Sequence, residues 1–333
     1  MFDIFGTLVL VAVIALFGFL ATRTWRLKNA ALRWLSVIIS GLLTLIGTAA
    51  LGLAVVGFVK LNQRHPNPVT DIKVVATAVQ IARGQRLAHN CASCHTPGDK
   101  PPLSGVNFAQ KFDLTMMGRL YAPNLTPGGN IDNWSDGEVI RAIREGIHRN
   151  GRSLLIMPTQ TFSHLSDEDV QAIVAYLRSQ PPTGKPTPNN QFSVIGAIFT
   201  NLIDFRTAGP PVSKVTAPPV GTVEYGKYMV DIIGCSDCHG DRLQGKADNG
   251  EPGPPPGPNL TRIIPQWIEA QFMTYFNKGQ LPGGGTVPIL TLPSGFSEPR
   301  MPWPTVRAIA TDAELKAMYT YLHRLSPVDG PSR

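Results

Sequence analysis

All four cysteines of the chain lie in two copies of one short pattern, in which two cysteines enclose two residues and a histidine follows. The copies are Cys91-Ala92-Ser93-Cys94-His95 and Cys235-Ser236-Asp237-Cys238-His239. This spacing is the attachment signature of c-type haem, in which both thiols form thioether bonds to the porphyrin and the histidine binds the iron. The sequence therefore predicts two covalently attached haem c groups.

A sixth iron ligand is expected downstream of each motif, and a methionine paired with histidine is the ligand set of cytochromes c. Met157 and Met301 each stand directly before a proline, 62 residues after their motif histidines (from 95 to 157 and from 239 to 301). We therefore predict the axial pairs His95 with Met157 and His239 with Met301. The chain also offers other candidates for a sixth ligand, namely Met116, Met117, Met273, His148 and His164.

Paired cysteines can also hold zinc or act as redox dithiols. The two pairs could form separate zinc knuckles or meet in one site with four thiolates. Neither zinc nor a dithiol explains a histidine at the same place twice, or a Met-Pro step at the same interval twice. The sequence favours haem over both alternatives.

The elements that precede the motifs indicate a membrane anchor. Residues 4–21 and 35–59 are uncharged apolar runs of 18 and 25 residues, and such lengths suffice to cross a bilayer core. The loop between them contains Arg23, Arg26, Lys28 and Arg33 and no acid, which places it in the cytoplasm by the positive-inside rule. We therefore expect two spans in a bacterial inner membrane, with the N-terminus and all residues after Val59 on the periplasmic side.

A cleaved signal peptide is the alternative interpretation, and the second run, with its basic leader and the small residues from Gly47 to Ala54, could mimic a cleavage site. Asp3 stands where a signal peptide would have positive charge, so a retained anchor over residues 1–62 is favoured.

The net charge of +7 could indicate nucleic-acid binding. However, residues 1–70 contain six lysines and arginines against Asp3 alone, so the basic excess belongs mainly to the anchor. No basic stripe with interleaved aromatic residues is present. We expect no nucleic-acid partner.

Helix signals recur around each motif. Helices are predicted over about 76–90 and 223–234, directly before the cysteines, and Gly84 within the first suggests close approach by another helix. Capping boxes begin further helices at Ser135 with Glu138, Ser166 with Asp169, and Thr311 with Glu314. The sequence thus predicts haem domains at 76–183 and 219–328, joined by a linker at 184–218.

The order helix, Cys-x-x-Cys-His, loop, helix, Met, helix resembles a class I cytochrome c. The segments NLTPGGNIDNWSDGEVIRAIREGIHRNGRSLLIMP and LSDEDVQAIVAYLRSQPP are similar to the cytochrome c subunits of periplasmic dehydrogenases for alcohols, sugars and sugar acids. The resemblance implies an all-α fold of two tandem class I domains behind the transmembrane hairpin. Subunits of that family usually have three haems and lack a two-helix anchor. A dihaem chain with such an anchor also resembles the dihaem subunit of cbb-type oxidases.

Two closed iron sites would relay electrons and would not act as an enzyme. We expect partners among the subunits of a dehydrogenase, quinol-oxidising, oxidase or photosynthetic complex, with a soluble electron carrier as a further candidate. The alternative is a dihaem redox enzyme, such as a peroxidase or a thiosulfate-oxidising cytochrome.

Three side chains and one apolar stretch each fit more than one role. Asn124, Asn259 and Trp134 could line haem pockets or serve loop structure alone. The apolar stretch 192–205 could pack between the haem domains, lie on the membrane or dock a partner, and packing is the simplest expectation.

Overall fold

The computed structural model describes residues 3–98, 100–203, 206–248 and 255–331. Its N-terminal part is a pair of long helices, α1 (Ile4–Thr24) and α2 (Ala30–Asn62). They run antiparallel, since Gly47 lies against Ile14 and Gly18 against Thr44. Both are long and apolar enough to cross a membrane, which confirms the prediction of two membrane-length helices.

In the described part of residues 78–179, which we call the first bundle, six helices follow. Their bounds are α3 (Ala78–Leu87), α4 (His89–His95), α5 (Phe108–Lys111), α6 (Asp136–Glu145), α7 (Thr159–Phe162) and α8 (Asp167–Ser179). A 3₁₀ turn covers Thr115–Met117. The predicted helix over 76–90 is thus interrupted at Ala88, and the first cysteine motif is a helix of its own.

The second bundle (residues 223–323) follows α9 (Val194–Phe199). Its helices are α10 (Val223–Ile233), α11 (Cys235–His239), α12 (Leu260–Ile263), α13 (Glu269–Lys278), α14 (Trp303–Ile309) and α15 (Asp312–His323). A 3₁₀ turn covers Ile264–Gln266. Gly234, in the left-handed conformation, ends α10 and begins α11.

Short strands interrupt this helical fold, so the all-α expectation is incomplete. Among the described residues, three antiparallel pairs are formed by β1 (Val106–Asn107) with β3 (Tyr121–Ala122), β2 (Gly118–Arg119) with β4 (Gln191–Phe192), and β5 (Ile289–Thr291) with β6 (Ser297–Pro299). Leu290 lies opposite Glu298 in the last pair, a hairpin. Each pair joins two loop segments, and Phe192 of β4 is buried.

One helix crossing occurs in both bundles. A Cβ atom at Gly84 in α3 would lie 1.8 Å from the carbonyl oxygen of Ala172 in α8, and one at Gly226 in α10 would lie 2.0 Å from that of Ala317 in α15. No side chain fits at either contact, so only glycine allows these helices to approach so closely. The close approach predicted at Gly84 is confirmed.

Two of the three predicted capping boxes form, and the third, at Ser166 with Asp169, is only a one-way cap. Ser135 and Glu138 make both hydrogen bonds of a capping box at α6, as do Thr311 and Glu314 at α15. Ser166 caps α8 by accepting from the Asp169 backbone N–H. The Asp169 carboxylate faces other partners.

The linker helix is shorter than the apolar stretch that predicted it. Within 192–205, α9 covers Val194–Phe199, and Phe205 lies outside the described residues. A Cβ at Gly57 of α2 would lie 1.8 Å from the carbonyl oxygen of Ala197, so α9 packs tightly on the anchor. The expectation that this stretch packs between the two bundles is wrong.

Candidate haem-binding sites

The two cysteine motifs are short helices, α4 and α11, in which the thiols are withdrawn from water. Burial raises the pKa of the Cys91 and Cys235 thiols to about 12. Burial likewise raises the pKa of Cys94 and Cys238. A reactive dithiol needs a lowered pKa that favours the thiolate, so this environment is unlike that of a redox dithiol.

Each motif histidine is oriented by a proline carbonyl. His95 Nδ1 lies 2.9 Å from the Pro123 oxygen, and His239 Nδ1 lies 2.7 Å from the Pro258 oxygen. A carbonyl only accepts, so Nδ1 holds the hydrogen, and burial lowers the pKa of both imidazoles and favours their neutral form. The Nε2 lone pair is then available, which is how proteins prepare a histidine for a metal.

A glycine closes the other side of each motif. The N–H of Gly105 donates to the His95 carbonyl and that of Gly245 to the His239 carbonyl, both at 2.7 Å. Both glycines have positive φ, of 78° and 85°. A Cβ at Gly105 would lie 2.7 Å from the Asn124 nitrogen, so the turn requires glycine on steric grounds as well.

The repeated asparagines hold the histidine-supporting loops in place. Asn124 is fully buried, and its amide donates to the Thr183 carbonyl at 2.7 Å. Asn259 donates in the same way to the Val328 carbonyl at 2.8 Å. Each asparagine thus joins its loop to the chain beyond the last helix of the bundle. The structure gives both side chains a role in the loop.

Trp134 and His148 lie together near the first bundle's surface. Their rings meet edge to face at 4.7 Å, and His148 Nδ1 lies 2.8 Å from the Asn150 side-chain oxygen. The Trp134 carbonyl accepts from Arg178 at 2.5 Å. These contacts fix the start of α6.

The two methionines occupy the same local conformation. Each is followed by a proline with φ −76°, and ψ is 65° at Pro158 and 57° at Pro302. The Met157 carbonyl accepts from Thr159 N–H and the Met301 carbonyl from Trp303 N–H, both at 2.7 Å. Each methionine therefore stands in a tight turn that begins a helix, and both pack against the main core.

The second bundle brings its four predicted residues to one cavity. Cys235, Cys238, His239 and Met301 all line a space of about 360 Å³, within the roughly 300–1,000 Å³ of small-molecule sites. Most of the remaining wall is apolar and includes Leu260, Ile264, Trp267, Phe272, Phe276, Val287, Met318 and Leu322. A largely apolar macrocycle with an iron at its centre matches this wall and these donors. The residues fit haem c.

In the first bundle, Cys91 lines a small apolar pocket with Ile143, Phe162 and Leu165. Phe162 belongs to α7, the helix that Met157 precedes. Among the other ligand candidates, Met117 packs with Leu61 and Phe192 in a separate cluster beside the anchor, and Met116 is 59% exposed. Met157 packs against the main core instead.

The two sites lie against each other's bundles. Thr161 of α7 lies 3.1 Å from both carboxylate oxygens of Asp237, in the second motif helix. Reciprocally, α14 of the second bundle packs on α4, the first motif helix. Each methionine helix therefore borders the other bundle's cysteine motif.

A single zinc site is not supported. Within the part of the chain that the structure describes, no group of three or more His, Cys, Asp or Glu side chains could hold a metal ion. The two cysteine pairs therefore do not meet in one site with four thiolates.

A family model described as cytochrome c matches residues 81–181, from α3 to the end of α8. This part of the chain is similar to cytochrome c domains. This similarity implies covalently bound haem c, in agreement with the motif, the neutral histidine and the buried thiols of the first bundle.

Similar proteins include several subunits of dehydrogenases. A nicotinate dehydrogenase subunit of Pseudomonas putida is 30% identical over 78% of this chain and 22% of its own length. The fructose dehydrogenase cytochrome subunit of Gluconobacter japonicus is 28% identical over 67% of this chain and 48% of its own. A dihaem cytochrome c-type protein of Cereibacter sphaeroides is 26% identical over 61% of this chain and 74% of its own. The chain spans less than half the length of the first two relatives.

Sequence reasoning missed the supports behind the histidines. Pro123 and Pro258 each begin a Pro-Asn-Leu-Thr segment, and this repeated tetrapeptide was the available signal. Gly105 and Gly245 each lie two residues after a leucine, a weaker pattern. Neither pair keeps the 144-residue offset of the histidines, because the prolines are 135 residues apart and the glycines 140.

Proposed function

We propose that the chain is a membrane-anchored dihaem cytochrome c that relays electrons on the periplasmic side of a bacterial inner membrane. Residues 1–62 would be the anchor, 76–183 and 219–328 two haem domains, and 184–218 the linker. The cavity that gathers Cys235, Cys238, His239 and Met301 carries the proposal, since it extends the haem chemistry of the first domain to the second bundle.

Haem c supplies reversible one-electron oxidation and reduction of its iron. Cys91 and Cys94 would hold one haem covalently and Cys235 and Cys238 the other. His95 with Met157, and His239 with Met301, would be the axial ligands. The carbonyls of Pro123 and Pro258 keep each imidazole oriented, and the turns at Pro158 and Pro302 keep each sulfur in place. An iron with both axial positions occupied by protein leaves no site for a substrate, which favours electron relay over catalysis.

The bundle interface supports passage of electrons between the two sites. Thr161 and Asp237 join the first methionine helix to the second motif helix, and α14 lies on α4. These contacts support a short path between the two proposed sites. The donor and acceptor would be other subunits of a membrane oxidoreductase complex, because the relatives are named as cytochrome subunits of dehydrogenases.

Haem stoichiometry tests the proposal directly. The full chain, purified from cells that attach haem c, should have a mass that includes two haems. Replacing both Cys91 and Cys94 by alanine should remove one haem, and replacing both Cys235 and Cys238 should remove the other. A wild-type chain with a single haem, or a pair of replacements without loss, would contradict the assignment.

The ligand assignment has its own readout. The oxidised protein should show the weak absorption band of methionine sulfur bound to ferric haem, and Met157→Ala and Met301→Ala should each diminish it. An unchanged spectrum in either variant would remove that methionine from the site. Consumption of peroxide by the purified chain alone would favour the alternative of a dihaem peroxidase.

The parent complex can be identified by gentle detergent extraction followed by mass spectrometry of the subunits that co-purify. A dehydrogenase subunit among them would support the relationship to the dehydrogenase cytochromes. An oxidase or photosynthetic subunit among them would instead assign the chain to that kind of complex.

A further inference from the structure

The segment around α9, residues 192–201, connects the first bundle to a defined position along the helices of the hairpin. The Asp3 N–H donates to the Phe192 carbonyl at 3.1 Å, beside the start of α1. Asn201 donates to the Leu53 carbonyl of α2 at 2.8 Å. A Cβ at Gly6 would lie 3.6 Å from Val194. Contacts on both helices thus hold residues 192–201 against the outer ends of the hairpin.

The depth of this segment follows from the register of the hairpin. Ile14, the midpoint of α1, lies against Gly47 of α2. Gly57, which α9 covers, is ten residues further along α2, or about 15 Å at helical rise. That equals half of a hydrocarbon core about 30 Å thick. Leu53, which Asn201 contacts, is only about 9 Å from the same midpoint.

Large apolar side chains are exposed at this level. Ile195 of α9 is 48% exposed and Leu202 is 76% exposed. Met116 of the first bundle is 59% exposed, and its carbonyl accepts from the Ser193 hydroxyl at 2.7 Å. Water would contact these side chains if the segment stood clear of the bilayer, at a cost of about 25 cal/mol per Å² of apolar surface.

A second contact holds the first bundle at the same depth along the hairpin. A Cβ at Gly196 of α9 would lie 2.1 Å from the Met117 carbonyl oxygen, so the 3₁₀ turn of the first bundle rests directly on α9. α9 therefore contacts both this turn and α2 of the hairpin.

We propose that Met116, Ile195 and Leu202 contact lipid in the outer leaflet, so that the first bundle rests on the membrane surface. The segment that contains Ile195 contacts both helices of the hairpin, and apolar side chains at a membrane boundary bury about 5–10 Å into the leaflet. The inference rests on the proposed insertion of α1 and α2. It adds that a haem domain itself touches lipid and is held at a fixed height above the bilayer.

Photocrosslinking of the full chain in nanodiscs of phosphatidylethanolamine and phosphatidylglycerol tests the proposal. The photoreactive residue p-benzoylphenylalanine would replace Met116, Ile195 or Leu202, one at a time. Phe19 of α1 is 62% exposed and is the positive control. Val79 and Ile268, 80% and 63% exposed on the two bundles, are the matched controls away from the anchor.

Mass spectrometry should find phospholipid adducts at Phe19 and at all three patch positions, and none at Val79 or Ile268. Adducts at Phe19 alone would overturn the inference and leave the anchor intact. Absence of adducts at Phe19 as well would overturn both. Adducts to a second protein chain at the patch, in place of lipid, would assign this surface to a protein–protein contact.

Discussion

Tyr228 of the second bundle donates a hydrogen bond to Asp169 of the first over 2.6 Å. The reverse contact also exists, since Arg86 of the first bundle donates to Glu314 of the second over 2.6 Å. Arg86 lies two residues after Gly84, and Tyr228 lies two residues after Gly226. Asp169 and Glu314 are each the third residue of the last helix of their bundle. Each bundle thus uses the same position to contact the same position of the other, which indicates an approximately twofold interface.

The carboxylate of Glu314 should contribute strongly to the stability of this interface. It is 4% exposed and pairs with Arg83 and Arg86. Removing one member of a buried ion pair leaves the other charges uncompensated and costs about 3 kcal/mol. We expect Glu314→Gln to lower the free energy of unfolding by that order, measured by guanidinium denaturation of the detergent-solubilised chain.

Asp312→Asn is the matched control, two residues earlier in the same helix turn. Asp312 is 66% exposed and pairs with Arg307 at the surface, where an ion pair contributes at most about 1 kcal/mol. Equal effects of the two substitutions would contradict the role assigned to Glu314.

Stability should also fall in acid because of Glu314. Burial favours the neutral acid, but backbone hydrogen bonding at Thr311 and the charges of Arg83 and Arg86 outweigh it and hold the pKa at about 2, below the ordinary 4.5. The stabilisation is therefore complete above about pH 4.5 and is lost as pH falls toward 2. Melting temperatures between pH 6 and 3 should fall less steeply in Glu314→Gln than in the wild type. Parallel curves would mean that Glu314 titrates normally.

Local signals in the sequence were sufficient for much of the fold. The capping boxes at Ser135 and Thr311 need only residues three positions apart, and the apolar runs of α1 and α2 need only composition. The cysteine motifs and Met-Pro steps were recognisable because the chain repeats them at one interval. Such features depend on neighbours within a few residues, or on the repeat itself.

Contacts between distant segments were beyond the same reasoning. The sequence predicts that Asp169 caps a helix together with Ser166, but its carboxylate accepts hydrogen bonds from Arg83 and Tyr228. The apolar residues near Val194 suggested packing between the bundles, yet they pack on Gly57 and Gly6. In each case the residue type fits several partners equally well. Only the three-dimensional arrangement of the helices selects one of them.

Gly226→Ala should destabilise the second bundle even though alanine is the better helix former by about 1 kcal/mol. The added Cβ would lie 2.0 Å from the Ala317 carbonyl oxygen, so α10 and α15 must separate. Overpacking of this kind costs about 1–3 kcal/mol. Thermal unfolding should show a lower midpoint, whereas Gly209→Ala, with nothing within 4 Å of its Cβ, should leave it unchanged. A higher midpoint for Gly226→Ala would mean that the crossing relaxes without cost.

Lys111 should be required to hold the first cysteine motif, although lysine is rarely buried. It is 8% exposed, and its ammonium donates to the carbonyls of Ser93, Thr96 and Gly98 at 2.7, 2.9 and 2.9 Å. It also lies 4.7 Å from the centre of the Phe296 ring, beside the β5–β6 hairpin of the second bundle. Lys111→Met keeps the aliphatic length but removes every donor, so we expect a loss of about 3 kcal/mol.

The second bundle provides a matched comparison for that substitution. Lys246 donates to the carbonyl of Asp237 at 2.7 Å, and Asp237 occupies the place in its motif that Ser93 occupies in the first. Lys246 is exposed, however, so water can replace it, and Lys246→Met should cost about 0.5 kcal/mol. Denaturant midpoints of the two variants, with haem content measured on the same samples, distinguish the two cases. Similar small losses would show that the carbonyls of α4 are satisfied without Lys111.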